Sequence, residues 1–236
     1  MSDERSRRVA VVTGANRGIG LEVTRQLAGR GDTVILGSRD ATRGQRALES
    51  LGPLPGTVLA RPLDVTAAGD TERLAAELAD RFGRVDVLIN NAAVHYDTWQ
   101  SAAAADLRIV AEALDTNLLG PWRVTQGLLP LLRASGHGRI VNVSSESGSL
   151  ASMGAGPPAY QASKAALNAL TRTLAAELRP AGILVNAVCP GWVATDMGGH
   201  GGEPVALGAQ RVLWAADLPD DGPAGGFWRD GRPVPW

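Results

Sequence analysis

A single cysteine, Cys189, leaves the chain without an internal disulfide framework. Its histidines, at 95, 137 and 200, have no metal-ligand spacing, so no catalytic metal is expected. Neither sign of charge is in excess: 23 basic residues face 24 acidic ones. That balance gives no general affinity for nucleic acid or an anionic membrane. No apolar run approaches the roughly 20 residues of a membrane span. Residues 1–8 are polar and unlike a signal peptide. The expectation is a soluble cytoplasmic protein. Aromatics make up only 4%, but six are tryptophan, and Trp214, Trp228 and Trp236 all fall near the end. Such a tail is expected to pack against the body or another subunit.

What the chain does have is length and apolar content for one substantial core, with 236 residues and 44% hydrophobic. We expect a single domain over 1–236. Val9–Ala10–Val11–Val12 is a continuous apolar run, as in a parallel strand buried on both faces. It leads into Gly14, Ala15, Asn16, Arg17, Gly18, Ile19 and Gly20, then into an apolar-periodic helix through Leu21, Val23, Leu27 and Ala28. Strand, glycine turn and helix form half of a mononucleotide-binding unit. The glycines allow a tight turn, and the helix start offers amide hydrogens to a pyrophosphate.

The second strand, Thr33 to Arg39, ends in Ser38–Arg39–Asp40. An acidic residue there would favour the 2′-hydroxyl of NAD. Arg39 instead suits a 2′-phosphate, with Arg17 as a second positive charge, so NADP is favoured. Asp40 counts against this, because it could neutralise Arg39. Helices are predicted near 42–51 and 71–82, with strands at 58–63 and 85–89. Asp64 follows the third strand, where it could meet an adenine amine or cap a helix. Asn90–Asn91–Ala92–Ala93 follows the fourth. A helix is predicted over 104–119, with Thr116–Asn117 marking a water site or a local distortion. Pro121 to Leu132 continues it. The fifth strand, 139–145, exits through Ser144 and Ser145, and either could bond a carbonyl oxygen. A sixth strand covers 183–188, and Cys189 after it reads as packed rather than nucleophilic. Segment 192–203 is glycine-rich and expected to be a mobile lid over the substrate. A helix over 204–216 and a short seventh strand finish the chain. Alternating strands and helices indicate a doubly wound α/β architecture with a mostly parallel, seven-stranded sheet.

Tyr160 and Lys164 share a helical face, four residues apart. A phenol keeps its proton until about pH 10. An ammonium beside it favours the phenolate, so the pair is a candidate general acid or base.

Taken together, these motifs resemble the short-chain dehydrogenase/reductase family along essentially the whole chain. They are Thr13–Gly14–X–X–X–Gly18–Ile19–Gly20, Asp64, Asn90–Asn91–Ala92, Asn117, Ser145, Tyr160–X–X–X–Lys164 and Pro190–Gly191. Arg17 and the Gly-Phe-Trp-Arg-Asp-Gly-Arg-Pro-Val-Pro-Trp ending look like the carbonyl-reductase-like branch that uses NADPH. The large insertion of animal carbonyl reductases before the catalytic tyrosine is absent. Ala93 stands where many members carry glycine, and Ser145 to Tyr160 is longer than the commonest spacing.

The resemblance implies a three-layer Rossmann fold and an NADPH-dependent reduction of a ketone or aldehyde, reversible as alcohol oxidation. Tyr160 is then the general acid, Lys164 the nicotinamide-ribose ligand, Ser145 the carbonyl-orienting group, and Asn117 the holder of a relay water. Cofactor contacts fall to Gly14, Asn16, Arg17, Gly18, Ile19, Gly20, Arg39, Asp64, Val65, Asn91, Ala92, Tyr160, Lys164, Pro190, Gly191, Val193 and Thr195. His95, Tyr96, Trp99, Met153, Trp192 and Met197 are pocket candidates beside Ser145, suited to an apolar or aromatic carbonyl or alcohol. The family leaves a homodimer or homotetramer open. An NAD-preferring alcohol dehydrogenase, a cofactor-binding protein without turnover, and a non-redox lyase or isomerase are the competing readings.

Overall fold

The computed structural model describes residues 7–94 and 97–236. Its strands are β1 (Val9–Val12), β2 (Thr33–Ser38), β3 (Thr57–Pro62), β4 (Val87–Asn90), β5 (Arg139–Val143), β6 (Leu184–Val188), β7 (Phe227–Arg229) and β8 (Arg232–Pro233). They form one sheet in the order β3-β2-β1-β4-β5-β6-β7-β8. The first seven are mutually parallel, and β8 runs antiparallel to β7. The eighth strand is an addition to the seven expected. It exists because Asp230 (φ 52°) and Gly231 (φ 68°) make a two-residue turn with both φ values positive. That hand of turn matches strand twist and folds the chain straight back.

The helices are α1 (Gly18–Gly29), α2 (Ala41–Leu51), α3 (Ala68–Arg81), α4 (Leu107–Leu114), α5 (Gly120–Ser135), α6 (Pro158–Leu178) and α7 (Val205–Ala216). They cover both faces of the sheet, so β1 is buried throughout. Its side chains alternate with the pleat. Val9 and Val11 join Leu74, Val124 and Leu167 of α3, α5 and α6 in one core. Ala10 and Val12 join Val23, Ala47 and Val212 of α1, α2 and α7 in the other.

Two of the boundaries that differ from the sequence pattern have a visible local cause. Helix α4 begins at Leu107 because the Asp106 carboxylate accepts from Arg108 N at 2.9 Å and caps it. Strand β5 stops at Val143, since Ser145 caps a 3₁₀ turn over Glu146–Gly148. Around Thr116–Asn117 the helix does distort: Asp115–Leu119 forms a π turn, in which Gly120 N reaches back to Asp115 O. Such a turn widens the helix and is common at functional sites.

Candidate active site

The chain builds β1, β2 and β3 outward, then crosses back to place β4 on the other side of β1. Beyond the carboxyl ends of strands at such a reversal, the connections part and leave a crevice. A cleft of about 720 Å³ lies there. Gly14 makes its floor: with φ 61°, a Cβ would stand 2.8 Å from Ala92 Cα. Gly20 lies so close to Asn91 that a Cβ would fall 2.5 Å from Nδ2. Asn91 Nδ2 donates to Thr13 O and Gly14 O at 2.9 and 3.1 Å, while Thr13 Oγ1 accepts from Asn91 N and Ala92 N. The asparagine therefore ties β4 to the glycine turn. Helix α1 starts at Gly18 with no side-chain cap from Arg17. The helix start thus faces the cleft with uncapped amides, the arrangement that suits a pyrophosphate.

Ser38, Arg39, Asp40 and Arg43 line one end of the cleft. The carboxylate of Asp40 is not spent on Arg39. It accepts from Arg43 N at 3.0 Å as the cap of α2 and pairs with Arg43 Nε at 3.6 Å. Those bonds hold its proton affinity below the usual carboxylate range. Arg43 is a third cation at this end that sequence reading missed, although its place in the first turn of α2 was a usable signal. Arg17 lines the cleft too, and pairs with Asp196 at 2.7 Å. Asp64 and Val65 form the adjacent wall, where Asp64 Oδ1 accepts from Thr66 N and Oγ1. Segment 192–203 passes over the glycine turn: a Cβ on Gly18 would lie 3.4 Å from Thr195 Cγ2.

At the other end stand Ser145, Tyr160 and Lys164. Lys164 is 2% exposed and donates from Nζ to Val143 O at 2.8 Å. Its Nζ lies 5.6 Å from the centroid of the Tyr160 ring. Burial pushes the Lys164 ammonium down to about 8. The two serines differ in what their protons do. Ser144 Oγ donates to Asn168 Oδ1 at 2.6 Å inside the core. Ser145 Oγ accepts from Ser147 N at 3.2 Å, which leaves its hydrogen for a group in the cleft. Cys189 is buried, and desolvation raises its thiol, as expected of a packed cysteine.

The side chain of Asn117 is buried and bonded through both its nitrogen and its oxygen. It donates to Val94 O and Ser163 Oγ and accepts from Val94 N. It does not line the cleft, whereas its neighbour Thr116 does.

The pocket candidates divide. Trp192 and Met197 line the cleft, together with Val193, Pro190 and Gly191. Trp99 does not; it is 70% exposed. Met153 also lies off the cleft. His95 and Tyr96 lie outside the described residues. Asp97, two residues before Trp99, is pinned beneath α6. Asp97 is 1% exposed and accepts from Ala159 N at 2.6 Å and Tyr160 N at 3.4 Å. It caps the helix that carries Tyr160 from 62 residues away, so no local pattern could announce it. Asp97→Ala leaves the amide of Ala159 buried and unpartnered and should lower stability by about 1–2 kcal/mol. Asp97→Asn, which keeps an acceptor, should lose less. Urea unfolding of the two variants checks both.

Among the described residues, no helix is long and apolar enough to cross a membrane, and no cluster of three or more His, Cys, Asp or Glu could hold a metal.

The family model for short chain dehydrogenase matches residues 8–204. The chain belongs to the short-chain dehydrogenase family. Members of this oxidoreductase family act on small molecules. This short-chain dehydrogenase is 33% identical to (-)-isopiperitenone reductase of Mentha piperita, over 94% of this chain and 96% of the relative. That alignment runs over 303 positions, so the mint enzyme carries inserted segments that this chain lacks. It is 34% identical to salutaridine reductase of Papaver bracteatum, covering 94% of each. NADPH-bound carbonyl reductase from chicken fatty liver superposes with a TM-score of 0.84 at 30% identity, over 98% of this chain and 99% of that one.

Proposed function

We propose that this chain is an NADPH-dependent reductase that transfers hydride to the carbonyl carbon of a ketone or aldehyde. The observation that carries the reading is one cleft with two chemically distinct ends. Ser145, Tyr160 and Lys164 stand at one, and Arg17, Arg39 and Arg43 at the other. A glycine floor and the start of α1 join them, which fits an extended dinucleotide lying across the sheet's carboxyl edge.

A bound nicotinamide supplies the hydride. Ser145 Oγ, its lone pair held by Ser147 N, donates to the carbonyl oxygen and orients it. Tyr160 gives its phenolic proton to the same oxygen. Lys164, anchored by Val143 O, keeps its remaining N–H groups for a ribose hydroxyl and places positive charge beside the ring that loses the proton. Arg39 can meet a 2′-phosphate with Arg43 beside it, because the Asp40 carboxylate caps α2 and pairs with Arg43 rather than with Arg39.

Trp192 and Met197 add apolar surface to the cleft lining, which supports aromatic or apolar carbonyls as the substrate class. A panel of ketones and aldehydes followed by NADPH absorbance should show such substrates turning over. Turnover of acidic substrates alone would sink the apolar-pocket reading. On the best substrate, Arg39→Ala should lower kcat/KM with NADPH by about 10–100-fold and leave NADH nearly unchanged, since a charged hydrogen bond is worth about 1.5–3 kcal/mol. Equal loss with both cofactors would mean that the 2′-phosphate is not read here.

A further inference from the structure

The C-terminal sequence Gly226–Phe227–Trp228–Arg229–Asp230–Gly231 lies beyond the cleft, yet its side chains reach two segments that line it. Arg229 Nη1 donates to Glu146 Oε2 at 2.8 Å, on the residue next to Ser145. Its Nη2 lies 3.7 Å from Glu203 Oε2. Glu203 closes segment 192–203 at its base: its N donates to Trp192 O at 2.7 Å, and its O accepts from Ala194 N at 2.9 Å. The Glu203 carboxylate is also gripped by Arg211, whose Nη1 and Nη2 lie 2.5 and 3.0 Å from its two oxygens.

Arg211 itself is 7% exposed and donates to Pro190 O at 2.8 Å and to Asp230 Oδ1 at 2.6 Å. Gly191 needs its missing side chain here, because a Cβ would stand 2.5 Å from Arg211 Nη1 and 2.7 Å from Glu203 Oε2. The tail adds two more links to the stretch running from Ser145 toward Tyr160. Ser149 Oγ donates to Pro235 O at 2.7 Å, and Ala151 N to Trp236 O at 2.8 Å. Trp236 in turn stacks on the buried ring of Phe227.

We propose that Arg229 is a positioning residue, which holds the Ser145–Glu146 turn and the base of segment 192–203 in one geometry by bridging Glu146 and Glu203. The groups around it are part-exposed, with Arg229, Glu146 and Glu203 side chains at 33, 44 and 38%. Pairs of that kind add little to global stability. What they can do is fix the angle of one loop against another, and small misplacements of a catalytic group are costly in rate. What Arg229 positions for catalysis rests on the reductase reading; the bridge between the two segments does not.

Amide hydrogen exchange and steady-state kinetics test this on the full-length protein. Arg229→Met should speed exchange in 146–151 and 192–203 and leave β1 and α1 as in the native chain. With a carbonyl substrate, kcat should fall about tenfold while NADPH affinity is kept. Glu146→Gln, which cuts the same bridge from its other end, should reproduce the effects on 146–151 and on kcat, and Arg229→Lys should recover most of the rate. Unchanged exchange in both segments, exchange that rises equally in β1 and α1, or an unchanged kcat would overturn the proposal. If the native protein reduces no carbonyl at all, the reductase reading falls, and the exchange pattern alone decides whether Arg229 couples the two segments.

Discussion

Tyr160→Phe should lower kcat for carbonyl reduction by about 10²–10⁴-fold, the range a positioned general acid contributes. The ring and its packing survive the change, so α6 should keep its place and NADPH should bind with nearly native affinity. Fluorescence titration with NADPH, alongside absorbance assays, separates the two quantities. The reason for expecting so large a loss lies in how few groups can protonate the oxygen. Ser145 can donate a hydrogen bond but has an alcohol's acidity, and the proton of Ser144 is turned into the core toward Asn168. Lys164 donates to Val143 O from a buried site. Full reductase activity in Y160F would remove Tyr160 from the mechanism.

Lys164→Met should cost the reaction a comparable factor and separate activity from stability. The ammonium is buried, and desolvation lowers it from 10.5 to about 8. Below about pH 8 both folded and unfolded chains carry the proton, and the folded state bears the whole penalty of burying the charge. Between about 8 and 10.5 the unfolded chain binds the proton and the folded chain does not. Stability on this group's account therefore rises with pH through that window. The native protein should gain stability from pH 7.5 to pH 10 relative to K164M, in urea unfolding of both proteins at both pH values. Methionine removes the buried charge but leaves Val143 O without its donor, so the net difference at neutral pH should be small. A reductase that kept its rate in K164M would contradict the role given to the ammonium. Equal pH slopes in the two proteins would show that its ionisation is not shifted by burial.

Much of this site was legible before the fold. The glycine turn, the exit of β5 through two serines and the Tyr160–Lys164 pair are local patterns, each tied to a period or a turn that any chain must obey. Four-residue spacing on a helix puts two side chains on one face wherever the helix goes. Other features were only half legible. Two serines in a row both read as candidates from the residues alone, the family resemblance points to Ser145, and in the fold the Ser144 hydroxyl turns to Asn168. Asn117 stands out as a polar residue within a helix, and the helix is distorted there. Its amide turned out to serve Val94 and Ser163 instead of facing the cleft. Trp99 and Met153 are pocket candidates by loop position alone. Position in a loop says nothing about direction, and the pinning of Asp97 beneath α6 accompanies the outward turn of Trp99.

By itself the sequence determined the alternation of strands and helices, the glycine turn and the Tyr160–Lys164 face. Those depend on interactions within a few residues, where periodicity and backbone geometry dominate. Only the tertiary structure decided what depends on contacts between distant segments. Asp97 caps α6 across 62 residues, Arg229 reaches Glu146 across 83, and Arg17 reaches Asp196 across 179. None of those pairings is announced by the linear pattern. What each residue does follows from which side chains the crossover beside β1 and the return of the C-terminal hairpin bring within bonding distance.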